Sequence, residues 1–137
     1  MNWYKIKLDK ADIEFSKFIR LRDKKCKRCG KSGIINSEGL PICGLQASHF
    51  YSRRNESTRF DPDNVDALCA NCHRKWSGEE RKEYEKFKID QLGKQGFDEL
   101  TIKANTYQKK DRKMAYMIAK KLLEDEIKKY KEDEWKT

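Results

Sequence analysis

The sequence predicts an α+β protein, mainly helical, whose few strands gather around one cross-linked segment in the middle of the chain. Three observations predict it. Two cysteine pairs of matched spacing, Cys26-Lys27-Arg28-Cys29 and Cys69-Ala70-Asn71-Cys72, stand 39 residues apart. Apolar residues recur with helical spacing before the first pair and after the second. Between the pairs the apolar runs are short and bounded by turn residues. Two residues of spacing let both sulfurs of a pair face one ion, so four thiolates in two pairs make a tetrahedral zinc site. The chain has 137 residues, 36% hydrophobic and 40% charged. That is a thin core, and a structural metal can contribute on the order of 10–16 kcal/mol to folding in small zinc modules.

The elements follow in order. Ala11, Phe15, Phe18, Ile19 and Arg22 run at i, i+4, i+7, i+8 and i+11, which predicts a helix over 11–22 capped by Asp9 or Asp12. Gly30 and Gly33 allow the tight turn of a zinc knuckle. Residues 34–44 read as loop, with Ser37-Glu38-Gly39 and Pro41 as turn signals. Leu45–Tyr51 reads as a short strand, 52–64 as a polar basic loop, and Val65–Leu68 as a second strand. A helix then starts near Cys69–Asn71. Ser77-Gly78-Glu79-Glu80 has the capping-box pattern and opens a helix over roughly 78–92, with Gly93 as its stop. A shorter helix begins at Gly96-Phe97-Asp98. The last helix, about 110–134, carries Ala115, Ile118, Ala119, Leu122, Leu123, Ile127 and Tyr130 on one stripe, for packing on the domain or on a second copy. These readings divide the chain into an N-terminal strand and helix over 1–25, a zinc-bound core over 26–78, and a helical extension over 79–137.

Net charge is +9 and pI about 9.3, the electrostatic footprint expected of a nucleic-acid binder. The excess is uneven: residues 1–77 carry a net +7 and residues 78–137 a net +2. The start, Met1-Asn2-Trp3-Tyr4-Lys5-Ile6-Lys7, has no apolar run like a signal peptide. The longest strongly apolar stretch, Met114–Ala119, is too short to span a bilayer. The expectation is a soluble cytoplasmic protein, where paired cysteines are metal ligands rather than disulfides. Cys43, the odd fifth cysteine, reads as a small buried hydrophobe.

His49 and His73 are the two histidines of the chain. The order strand, His49, basic loop, Asn64, strand, Cys72-His73, helix places a histidine pair on two strands and a helix, a ββα-metal arrangement. It suits phosphodiester hydrolysis. A neutral imidazole takes a proton from water near neutral pH. A second group on the helix holds a divalent ion against a phosphate oxygen. Asn64 is placed to fix the connecting loop by hydrogen bonds to backbone. Arg53, Arg54 and Arg59 grip phosphates with planar forks of donors, and Arg74 and Lys75 extend that DNA-binding set onto the helix. Trp76 is read as packing on the zinc knuckle.

His49, Asn64 and His73 stand in the order of the HNH nuclease superfamily, and the four paired cysteines match its zinc-bearing branch. The chain more closely resembles the phage recombination proteins of the lambda NinG (Rap) type. The pieces are Phe18-Ile19-Arg20-Leu21-Arg22-Asp23 before Cys26, Leu45-Gln46-Ala47-Ser48-His49-Phe50 with Ser52-Arg53-Arg54, then Thr58-Arg59-Phe60-Asp61 and Asp63-Asn64-Val65 up to Cys69 and Cys72. They cover roughly residues 11–78. The resemblance implies a structure-selective DNA endonuclease acting on branched recombination intermediates such as Holliday junctions, D-loops and flaps. It implies a structural Zn²⁺, a catalytic Mg²⁺ or Mn²⁺, a homodimer and a recombinase partner. By position His49 is the general base, Asn64 the orienting residue and His73 the ligand of the catalytic ion. Ser48 departs from the pattern, because many such sites place Asp or His there as a second ligand; Asp61, Asp63 and Asp66 are the substitutes at hand. Two readings stay open beside it: a zinc-stabilised junction-binding protein that does not cut, and a general nicking nuclease.

Overall fold

The computed structural model describes residues 8–136. Any strand ahead of the first helix would fall on residues 1–7, outside the described residues. Helix α1 spans Lys10–Asp23. Asp9 caps it reciprocally: its carboxylate accepts from the Asp12 amide at 3.1 Å, and the Asp12 carboxylate accepts from the Asp9 amide at 2.9 Å. The expected stripe is buried at Ala11, Phe15, Phe18 and Ile19. Arg22 leaves that stripe and reaches across the fold, donating to the Pro62 and Val65 carbonyls at 3.0 and 2.8 Å.

The knuckle follows. Gly30, at φ +80°, makes the turn that returns its amide to the Cys26 carbonyl. The segment 34–44, expected as loop, forms a small antiparallel hairpin, β1 (Ile34–Ile35) with β2 (Pro41–Cys43). Asn36 builds its turn, its side-chain oxygen accepting from the amides of Glu38 and Leu40. Strands this short show no alternation to read. Cys43 is exposed on β2 rather than buried.

Strand β3 (Gln46–His49) pairs antiparallel with β4 (Val65–Leu68), setting Gln46 opposite Leu68 and His49 opposite Val65. The connection carries a short helix, α2 (Glu56–Arg59), and a 3-10 turn at Pro62–Asn64, where loop was expected. Helix α3 (Ala70–Ser77) leaves β4 directly, with Cys69 at its N-cap. Helix α4 spans Arg81–Asn105, broken at Gly93, whose φ of 78° no helix accommodates. The expected capping box at Ser77–Glu80 does not form. Ser77 is the last residue of α3, and Glu80 is the N-cap residue of α4 without a side-chain cap, its carboxylate pairing with Arg28 at 3.0 Å. Helix α5 (Arg112–Lys136) lies along α1. Ala115, Ala119 and Leu123 are buried there, Leu122, Ile127 and Tyr130 pack at the margin, and Ile118 is exposed. The stripe therefore packs on its own chain.

One core runs through all three segments, from Phe15 and Ile19 through Leu45, Val65 and Leu68 to Tyr84, Phe97 and Leu123. Trp76 joins it by stacking on Tyr84, ring centroids 4.5 Å apart, with Phe87 at 5.0 Å. Its ring partners are therefore on α4 rather than on the zinc knuckle, where packing was expected. Behind the β3–β4 pair lies a buried polar network. Lys88 and Asp66 are both fully buried, Nζ to Oδ2 3.1 Å. The Tyr84 hydroxyl donates to Asp66 at 3.1 Å and Gln91 donates to its other oxygen at 3.0 Å. Among the described residues no helix is long and apolar enough to cross a membrane.

Candidate metal centre and histidine site

The knuckle brings one cysteine pair and the β4–α3 junction the other. The Lys27 amide donates to the Ala67 carbonyl at 2.9 Å, which clamps the knuckle onto β4. The sulfurs of Cys26, Cys29, Cys69 and Cys72 all lie within 4.8 Å of one another. Cys29 and Cys69 Sγ are 3.8 Å apart. A tetrahedron of about 2.3 Å Zn–S bonds has edges of about 3.8 Å, so the four sulfurs fit a zinc ion. Burial alone would raise the Cys26 thiol, but the amides of Cys29, Cys69 and Arg28 hold it down to about 7. Burial and the neighbouring sulfurs push Cys72 up to about 12, against the pull of Arg28. Such a cluster holds all four charges only around a cation. Arg28, inside the first C-x-x-C, donates to Cys72 Sγ at 3.4 Å and pairs with Glu80 and Glu83. It ties the cluster to α4, and its position between two ligands was the only sequence signal for that role.

His49 ends β3. Its Nε2 lies 2.9 Å from the Arg59 carbonyl oxygen. A carbonyl only accepts, so Nε2 carries the proton and Nδ1 keeps the lone pair. Nδ1 is buried and has no hydrogen-bond partner. Burial, then the charge of Arg53, lowers the imidazole to about 4, so it is neutral at physiological pH. His73, in the first turn of α3, is not a member of the cysteine cluster. Its Nδ1 lies 2.7 Å from Gln46 Oε1 on β3. That contact places the proton on Nδ1 and leaves Nε2 as a donor for a metal, the orientation that a hydrogen-bonded carbonyl imposes on ligating histidines. Burial and Arg53 lower His73 as well. One guanidinium thus bears on both imidazoles. Arg53 is half-buried, and its Nε is buried without a partner.

Asn64 is fully buried. It accepts from the Tyr51 amide at 2.8 Å and donates to the carbonyls of Tyr51 and Thr58 at 2.9 and 3.1 Å. Asn64 thus ties Tyr51 to Thr58 across the loop leaving His49. Arg59 corrects an expectation. It is 3% exposed and gives Nε and Nη2 to the Asp12 carboxylate at 2.8 and 2.5 Å, so it grips a buried acid rather than phosphate. Arg54 and Arg74 are exposed and Lys75 is half-buried. Arg74, His73, Gln46, Ala70 and Ser77 border one shallow depression.

Ser48 is fully buried, within 3.3 Å of the Tyr84 hydroxyl. Two of its three substitutes are also engaged: Asp66 with Lys88, and Asp61 with Lys103 at 2.8 Å. Asp63 is exposed in the 3-10 turn. Among the described residues, the four cysteines are the group of three or more candidate donors close enough to share an ion. Gln46 and Asp12 had no sequence signal as site residues, since only strand register and helix docking bring them to the histidines. No family model matches the chain, and no curated protein or solved structure matches it either.

Proposed function

We propose that the protein is a zinc-stapled DNA endonuclease of the HNH type, assisted by a divalent cation, acting on branched recombination intermediates. One observation carries the reading: the Nε2–H of His49 is tied to a backbone carbonyl, which leaves Nδ1 as a buried, unpartnered lone pair beside Arg53. That is the form a general base needs. In the reaction, Nδ1 takes a proton from water, the water oxygen forms a bond to phosphorus, and the bond from phosphorus to the leaving oxygen breaks. Arg53 holds the phosphate and balances charge on its oxygens. Asn64 keeps the loop that carries Arg53 in place.

His73 Nε2 would be the protein donor holding the divalent ion. When bound, that ion offsets negative charge on the leaving oxygen. One imidazole and no carboxylate suits Mn²⁺ better than Mg²⁺, which favours oxygen ligands. The branched substrate, the homodimer and the recombinase partner rest on the sequence resemblance. The basic half of the chain supports a DNA partner.

The burial of Ser48 favours a second reading, a protein that binds DNA junctions without cutting. The test is incubation with a labelled four-way junction, a flap and a matched linear duplex, with Mn²⁺ or Mg²⁺, beside His49→Ala. Cutting of branched DNA that needs metal and is lost in the variant supports the proposal. Equal cutting of the duplex reduces it to a general nicking nuclease. Tight binding with no cutting in either metal sinks it in favour of the binding protein.

A further inference from the structure

The proton on His49 Nε2 depends on one peptide carbonyl, that of Arg59, and α2 alone does not secure it. This helix has four residues and no side-chain cap at Asn55. One turn of helix is not stable by itself. The Arg59 side chain does secure it. It runs inward to both oxygens of Asp12, and Asp12 is set by its reciprocal bonds with Asp9. Arg112, the first residue of α5, donates to Asp9 and to Glu56. Two arginines and three carboxylates from α1 and its N-cap, α2 and α5 therefore enclose the peptide that faces His49. Phe60 fills the space between the arginines, each guanidinium 5.6 Å from its ring centre. Phe15 closes the back, 5.9 Å from Phe60 and 6.5 Å from the imidazole.

We infer that Asp12 and Arg112 are positioning residues for His49, holding through Arg59 and Glu56 the carbonyl that keeps the imidazole in its Nε2–H form. The C-terminal helix, which gives no group to the site, thereby controls the base. The inference rests on the reading of His49 as that base. The mechanism is simple. If the carbonyl moves away, Nε2–H loses its acceptor and the proton is free to occupy Nδ1 instead. An imidazole with its proton on Nδ1 has no lone pair where the water must be deprotonated. The charged groups facing His49 are Arg53 from the loop, Asp12 from α1 and Arg59 from α2. Asp12 is thus both the anchor of the carbonyl and a carboxylate whose charge reaches the ring.

The test uses the full zinc-loaded chain with ¹⁵N-labelled histidine. His73→Gln assigns the His49 signals, since the chain has two histidines. At neutral pH the wild type should show the Nε2–H tautomer. Asp12→Asn should move His49 toward a mixture of tautomers, and kcat on the cleaved DNA should fall about 10- to 100-fold with little change in KM. Arg112→Gln alters a partly exposed guanidinium and guards against a misfolded Asp12→Asn; it should shift the tautomers in the same direction by less. Folded variants that keep the wild-type tautomer overturn the inference, whatever they do to thermal stability. The tautomer readout needs no cleavage, so a protein that cuts no DNA would sink the endonuclease reading while this inference stands or falls on the spectra.

Discussion

Lys88→Met should be among the most destabilising single changes in the protein. Lys88 and Asp66 are both fully buried and 3.1 Å apart. The ammonium also donates to the Asp63 carbonyl and to Gln91 Oε1, the latter at 2.7 Å. Burial lowers the Lys88 pKa, and Asp66 opposes that shift. Methionine matches the stem of lysine, so little packing is lost. What is lost is the cation, leaving a carboxylate in the core with only Tyr84 and Gln91 as donors. Removing one partner of a buried ion pair costs about 3–5 kcal/mol. With an unfolding entropy of about 2.1 cal/mol/K per residue, a chain of this length should lose roughly 10–17 °C in Tm. Urea denaturation at fixed free zinc measures it, with the midpoint falling and the slope unchanged. Replacing both partners, Lys88→Met with Asp66→Leu, should recover much of the loss, because no charge then stays buried. A cost below about 1 kcal/mol for Lys88→Met, or a double variant worse than the single, would refute the account of a desolvated pair bracing β4 on α4.

The remaining predictions concern the metal, the loop and the base. Zinc removal by a strong chelator should abolish cooperative unfolding, and Co²⁺ in its place should show the absorption of tetrahedral thiolate coordination; a chain that stays cooperatively folded without metal would count against a structural zinc. Asn64→Ala leaves the Tyr51 amide and carbonyl without partners and takes one donor from the Thr58 carbonyl, which keeps the Asp61 amide, costing about 3 kcal/mol, and amide exchange should quicken along residues 51–59 before it does in the strands. His49 titrates at about 4 in the fold against about 6.5 unfolded. A depressed value means that the stability is complete above the unfolded pKa and is lost as pH falls from about 6.5 to about 4, on the order of 3 kcal/mol, and His49→Gln should flatten that part of the stability–pH curve.

The proposed chemistry makes Arg53 the hinge between binding and catalysis. Its charge lowers both histidines when no anion is present. A phosphate paired with it offsets that charge and lifts His49 toward the range where a base works at neutral pH. Burial supplies the larger part of the His49 shift, so the phosphate restores the base in part and exclusion of water from the loop governs the rest.

Some of this was legible in the sequence because it is local or repeats at short spacing. The paired cysteines carry their own geometry, and the apolar stripe of α1 repeats every turn. The β3–β4–α3 order follows from short runs bounded by turn residues. The hairpin β1–β2 and helix α2 were not legible, since two to four residues are too few to show a period. Nor was the fate of Arg59, which composition counts as one more surface cation. Its burial against Asp12 joins residues 47 apart in the chain. Ser48 turning to Tyr84, Gln46 meeting His73, and Arg112 closing on Asp9 and Glu56 have the same origin. The sequence by itself determined the four-cysteine cluster, the helices and which side chains can do chemistry, because those depend on residue type and spacing. Tertiary structure alone decided which cations face outward, which are buried in ion pairs, and on which ring nitrogen each histidine holds its proton, because those depend on partners that meet only when α1, α4 and α5 close around the strands.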